Sequence, residues 1–204
     1  MTRTLARGSI VAVTGLVAVA LSLGPAAAAG YATVDYTVNA QTTLATLQQT
    51  VVIPQGTFKG SINTSTGVLT GHLRLPPAST TVQLVGIGLA DATFAMVPTK
   101  AVRGRLHNST KGLAMTATAT FNIHVISVKP LGLPVNLVGA SCVTVTPIAL
   151  KMSGPVSLTL PSTFTGTYTI PRFAHCQTAT VALNLVLPGP GNAFTATLTP
   201  VITL

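Results

Sequence analysis

Residues Leu113 to Val125 read Leu-Ala-Met-Thr-Ala-Thr-Ala-Thr-Phe-Asn-Ile-His-Val, and the period of that stretch is two. Its odd positions, Leu113, Met115, Ala117, Ala119, Phe121, Ile123 and Val125, are all apolar. Its even positions include Thr116, Thr118, Thr120, Asn122 and His124. Successive side chains on a strand point to opposite faces, so this stretch builds a strand with one face in a core and a hydroxyl-rich face in water. Past Val125 the parity breaks. Ser127 falls on the apolar parity while Ile126 and Val128 do not, which predicts a bulge or a strand end there.

Working outward, the same alternation returns. Phe164, Gly166, Tyr168 and Ile170 oppose Thr165, Thr167 and Thr169, and Phe194, Ala196 and Leu198 oppose Thr195, Thr197 and Thr199. Leu69, Leu73 and Leu75 oppose Thr70, His72 and Arg74, and Val181, Leu183, Leu185 and Leu187 oppose Thr180 and Asn184. Punctuation separates these runs at Pro54, Pro76-Pro77, Pro98, Pro130, Pro134, Pro161, Pro171 and Pro188-Gly189-Pro190-Gly191-Asn192. Beyond the N-terminal segment, only Leu44 to Gln49 offers helical spacing. Many short strands with β-branched residues and Pro/Gly turns predict an all-β fold. The expected form is an antiparallel β-sandwich, of Ig-like or Greek-key type or barrel-like.

The N-terminus has the order of a secretory signal. Arg3 and Arg7 precede an apolar stretch from Ile10 to Leu23, and Gly24-Pro25 then breaks it before Ala26 to Ala29. Small residues at Ala27 and Ala29 suit signal peptidase, so residues 1–29 read as a signal peptide and 30–204 as one mature domain. The apolar stretch is short for a membrane span, and no transmembrane span is expected in the mature chain. Loss of Arg3 and Arg7 lowers the formal charge from +9 to +7. The expected location is secreted, extracellular or at the cell envelope. Exported cysteines pair, so Cys142 and Cys176 are expected to form one disulfide, with two free thiols or an intermolecular bond as the alternatives.

Chemistry is bounded by a shortage. Asp35 and Asp91 are the only side-chain carboxylates, and glutamate and tryptophan are absent. Carboxylates are the commonest general bases, hard-metal ligands and partners of catalytic histidines, so their scarcity argues against an enzyme. No Gly-x-Ser-x-Gly elbow is present. A glycosidase would need both carboxylates at one bond, whereas each reads better as a turn or strand-end residue. His72, His107, His124 and His175 lack metal-ligand spacing, so neither a metal site nor a cofactor is expected. Threonine, in place of acids, must solvate the surface; its Thr-x-Thr ladders serve that role better than an ice-binding one. Aromatic girdles for a transmembrane barrel are missing as well.

Two features remain as candidate binding elements. Lys100, Arg103, Arg105, His107 and Lys111 concentrate positive charge, with alternate residues on one face of a strand. Such a patch suits an anionic envelope polymer or lipid headgroups, or it simply keeps a sheet edge from pairing with other chains. Nucleic acid is not an expected partner, because aromatic interleaving is lacking. The apolar runs Val82 to Leu89 and Leu131 to Val138 do not alternate. They fit strands buried on both faces, or the lining of a hydrophobic cleft.

Several turn and strand motifs also carry a likeness. A secretory signal is followed by Gly56-Thr57-Phe58, Gly67-Val68-Leu69-Thr70-Gly71, Gly166-Thr167-Tyr168-Thr169-Ile170-Pro171 with Cys176 soon after, and Pro188-Gly189-Pro190-Gly191-Asn192. Over most of its mature length the chain resembles secreted β-rich proteins of actinobacteria, a group with no assigned activity. The resemblance implies an exported β-rich domain and supplies no catalytic residues. The expected function is a non-catalytic structural or binding role at the cell envelope. The alternative is a carrier or sensor of an apolar, lipid-type ligand held in a cleft of the β-fold.

Overall fold

The computed structural model describes residues 30–84, 87–110, 112–157 and 159–201. The predicted signal peptide, residues 1–29, and Lys111 of the basic patch lie outside the described residues. The strands are β1 (Tyr31–Leu44), β2 (Gln49–Asn63), β3 (Val68–Arg74), β4 (Ala78–Leu84), β5 (Ile87–Ser109), β6 (Gly112–Pro130), β7 (Val143–Thr144), β8 (Ile148–Pro155), β9 (Ser162–Ile170), β10 (Phe173–Ala174) and β11 (Gly189–Pro200). A short helix, α1 (Thr180–Val186), precedes β11.

The all-β class and the antiparallel pairing stand as expected. The ladder β6–β8–β9–β11–β1–β2–β3–β5 returns to β6, because β5 and β6 also pair along their length. Eight strands thus close a hydrogen-bonded ring. Inside the ring the alternation read from the sequence is realised. Met115, Ala117, Ala119, Phe121, Ile123 and Val125 of β6 are buried. They meet Val38, Phe58, Leu150, Phe164 and Phe194 from the other strands in one core. Each large side chain taken fully out of water stabilises the fold by roughly 1.5–3 kcal/mol. Outside, Thr116, Thr165 and Thr167 are exposed and solvate the sheet without charge.

The parity break after Val125 is a bulge. Thr93 of β5 pairs with Ser127 and Phe94 pairs with Val125, so Ile126 has no opposite number. The extra residue turns Val128 inward and leaves Ile126 exposed. The strand therefore changes faces without ending.

β5 also changes partner along its length. It pairs with β3 from Val102 to Arg105 and with β4 from Ile87 to Phe94. At the β4 end no ladder joins β2 to β4, and one side chain bridges them instead. Gln49 donates from Nε2 to Thr80 Oγ1 and to the Thr81 carbonyl, and its Oε1 accepts from the Gln83 amide. A carboxamide thus supplies the donor and acceptor that a strand would have offered.

Three local expectations are corrected. Thr180 to Val186 is a helix, not a strand. At helical spacing Ala179, Ala182, Leu183, Val186 and Leu187 share one face, and that face packs inward. Val181 and Leu185, which the period of two placed with Leu183, point to solvent. Leu44 to Gln49 is not a helix but the turn joining β1 to β2, with Gln48 at φ 50°. Its six residues leave no room for a helical turn once Leu44 and Gln49 are paired across the hairpin. The Pro188–Asn192 turn lies largely within β11. Gly189 pairs with Ile170 and Asn192 with Tyr168, leaving Pro190 and Gly191 as an irregularity in the strand.

Candidate functional site: an apolar cavity beneath a tethered cap

One end of the ring is not filled by side chains. A cavity of about 410 Å³ lies there, within the 300–1,000 Å³ common to small-molecule sites. Its walls come from strand ends that point their apolar parity inward. β5 gives Leu89, Ala90, Ala92 and Phe94, while β6 gives Ile123, Val125 and, through the bulge, Val128. Tyr168 and Ile170 come from β9, and Thr42 and Leu44 from β1. An eight-stranded ring has an interior just wide enough to be packed or to hold one small ligand. Here the end bearing the β1–β2 turn is left hollow.

The cap over the cavity is α1, with Leu183 buried beneath it. Three ties hold this short helix, which would be marginal alone, and the segment that enters it. Cys142 and Cys176 form the expected disulfide, with both residues fully buried, so the segment entering the helix is tied to the loop after β6. The Asn184 carboxamide accepts from the Phe173 amide at 2.7 Å and donates to the Phe173 carbonyl at 2.9 Å, fastening the helix to β10. The Thr178 hydroxyl also donates to the Leu137 carbonyl. Leu89, Thr178 and Ala182 are lining residues that are also exposed, and they mark the opening.

Among the described residues that line the cavity none is charged, and the polar side chains are Thr42, Thr80, Tyr168 and Thr178. The innermost pair is Thr42 and Tyr168, whose hydroxyl oxygens lie 2.7 Å apart. Thr42 has one hydroxyl proton, and the Ala193 carbonyl 2.9 Å away can only accept it. Tyr168 must therefore donate to Thr42, and both protons are spent within the protein. Burial pushes the Tyr168 phenol above its ordinary pKa, against a smaller lowering by the Thr42 hydrogen bond. The phenol is thus neutral, and the wall carries no fixed charge to offset one on a ligand.

Of the apolar runs singled out in the sequence, Val85 and Gly86 lie outside the described residues, and other members divide between two roles. Val82, Leu89 and Leu137 line the cavity, whereas Leu131, Leu133 and Val135 are exposed beside it. Sequence reasoning missed α1, whose inward face roofs the cavity; the apolar recurrence at 179, 182, 183, 186 and 187 was the available signal.

The predicted basic patch lies elsewhere. Lys100, Arg103, Arg105 and His107 are exposed along β5, towards the opposite end of the ring. Register extends the patch across neighbouring strands, for Thr70 opposes Arg103, Arg103 opposes Thr118, and Thr118 opposes Lys151. Directly opposed residues share a face, so Lys151 belongs to the patch although it is far away in sequence. Of the two carboxylates, Asp35 is 3.0 Å from Lys59, and Asp91 accepts from the Thr81 hydroxyl at 2.7 Å. The described residues contain no group of three or more metal-ligating side chains, and no helix among them is long and apolar enough to cross a membrane. No family model, curated protein or solved structure matches the chain.

Proposed function

We propose that this protein is an exported, non-catalytic carrier or sensor of a small apolar ligand, held in the cavity beneath α1. The carrying observation is the cavity itself, about 410 Å³ in volume, bounded by apolar side chains and free of charged ones. Burying an apolar molecule there gains roughly 25 cal/mol for each Å² removed from water. A ligand charge placed inside would meet no compensating ion. The preferred ligand is therefore neutral along the part that enters. The buried disulfide fits a protein that must keep its cap in place outside the cell.

The neutral apolar fluorophore N-phenyl-1-naphthylamine tests this reading. It should bind saturably, one per chain, to the purified mature protein. Ala92→Phe places a ring in the cavity and should weaken binding at least tenfold with little change in melting temperature. Absence of saturable binding, or equal binding by the filled variant, would sink the carrier reading.

A second reading rests on the outer face of β5, β6 and β8, where Arg103, Arg105 and Lys151 lie among threonines. That face suits an anionic envelope polymer, giving the protein an envelope-associated binding role. Retention on purified cell wall should then fall as salt shortens the screening length, and the double variant Arg103→Ala, Arg105→Ala should lose it. Salt-independent retention would exclude this role for the face.

A further inference from the structure

The end of the ring that holds the cavity carries apolar side chains exposed to solvent. Val181 and Leu185, on the outer face of α1, are 81% and 80% exposed. At the same end, Leu131, Leu133 and Val135 are exposed in the loop after β6, and Leu89 is exposed at the lip. These side chains are held outward by an ordered frame. The Leu131 amide donates to the Leu89 carbonyl, and the Leu137 amide to the Val128 carbonyl. Asn136 Oδ1 accepts from the Val128 amide while its Nδ2 donates to the Ile126 carbonyl, so the loop is fastened to β6 on both sides of Val128. A loop pinned in this way has backbone partners for its turns, yet its leucines and valine remain uncovered. Concentrated exposed apolar surface of this kind marks an interaction site.

Charge at this end identifies the partner. Lys129 precedes the loop and Arg172 precedes the lining residue Phe173; both are exposed. Asp91 is the one carboxylate at this end, and in the ladder it stands opposite Lys129. Apolar side chains flanked by cations fit the boundary between acyl chains and anionic headgroups. The patch is also continuous with the cavity through Leu89, which belongs to both. A ligand leaving an apolar cavity through an apolar lip onto a lipid surface need never cross water.

We propose that this end of the molecule docks on a lipid surface carrying anionic headgroups, with Val181, Leu185, Leu131 and Leu133 entering the interface and the cavity mouth facing the lipid. The proposal rests on the carrier reading for its purpose, but its test reads the bilayer directly. Sedimentation is measured with vesicles of phosphatidylcholine alone and of phosphatidylcholine mixed with phosphatidylglycerol. The protein should bind the mixed vesicles at least tenfold more tightly. The pair Val181→Gln, Leu185→Gln, both already in solvent, should reduce that binding at least tenfold while leaving uptake of N-phenyl-1-naphthylamine intact. Leu133→Ser, on a separate element, should act in the same direction and guards against a helix that fails to form.

No binding to mixed vesicles, or binding untouched by both variants, overturns the docking surface. So does a dimer in sedimentation velocity that dissociates in the same variants, because the patch would then be covered by a second copy. Probe uptake without vesicle binding removes the docking surface and leaves the carrier. Vesicle binding lost in the variants, but without probe uptake in any form, supports docking and removes the carrier.

Discussion

Burial of the Tyr168 phenol links the cavity wall to stability through its proton. Unfolded, a tyrosine ionises near pH 10; folded, Tyr168 does so at higher pH because its anion would be desolvated. Below about pH 10 both states keep the proton and its contribution to stability is whole. As pH rises further the unfolded chain loses its proton first, so stability falls until the folded phenol ionises as well. Tyr36, also raised by burial, acts in the same sense. The melting temperature should therefore drop as pH climbs past about 10, and Tyr168→Phe should flatten part of that drop while costing about 1 kcal/mol at neutral pH. An unchanged alkaline slope in Tyr168→Phe would show that the phenol is not desolvated. The sequence placed Tyr168 on the inward parity of its strand. It gave no means of finding Thr42, 126 residues away, because a threonine on alternating strands reads as a solvent residue until its neighbour is known.

At the scale of elements, strands were legible and the cap was not. Strand alternation survives in β6, β9 and β11 because one face of each is buried along most of its length, and a slip by one residue would invert every side chain. The break at Ile126 was equally visible, since a bulge must appear as a change of parity. Residues 180 to 187 satisfy both periods over so short a run, and Leu183, Val186 and Leu187 fit a helix as well as the odd-numbered residues fit a strand. Tertiary context decides between them. The disulfide fixes the chain at Cys176, and Asn184 occupies the hydrogen-bonding edge of Phe173 that a strand would otherwise have used. Closing a loop with a sequence separation of 34 residues should stabilise the fold by about 3–4 kcal/mol in the chain-entropy account. At the native end of the same link, the bridge keeps a two-turn helix over a hollow that apolar packing alone does not fill.

Across the whole molecule, alternation tells which side chains face inward but not which strands are neighbours. The ring depends on the pairing of β1 with β11, where Tyr36 meets Pro200 and Thr43 meets Ala193, and that pairing of high sequence separation is one that no local pattern encodes. The cavity was therefore visible only as two apolar runs, and just part of each run lines it. Composition, by contrast, fixes the response of the molecule to acid. Acid unfolding runs mainly through carboxylates that are paired in the native state and through histidines buried without charge. This chain has two carboxylates, and none of its four histidines is buried. Asp35 and Lys59 form a surface pair, with side chains 40% and 72% exposed, of the kind worth between about 0 and 1 kcal/mol. Asp91 is exposed on β5, opposite Thr81 on one side and Lys129 on the other. The core, the hydroxyl-covered outer face and the disulfide contain nothing that must be protonated for the fold to open. Circular dichroism melts at pH 7 and at about pH 3 should therefore differ by only a few degrees. The remaining shift should shrink with added salt, because it comes from repulsion among the surface cations. A cooperative loss of structure between pH 7 and about pH 3 would overturn this expectation, because it would require a charged group that the fold depends on far more strongly than these surface settings allow.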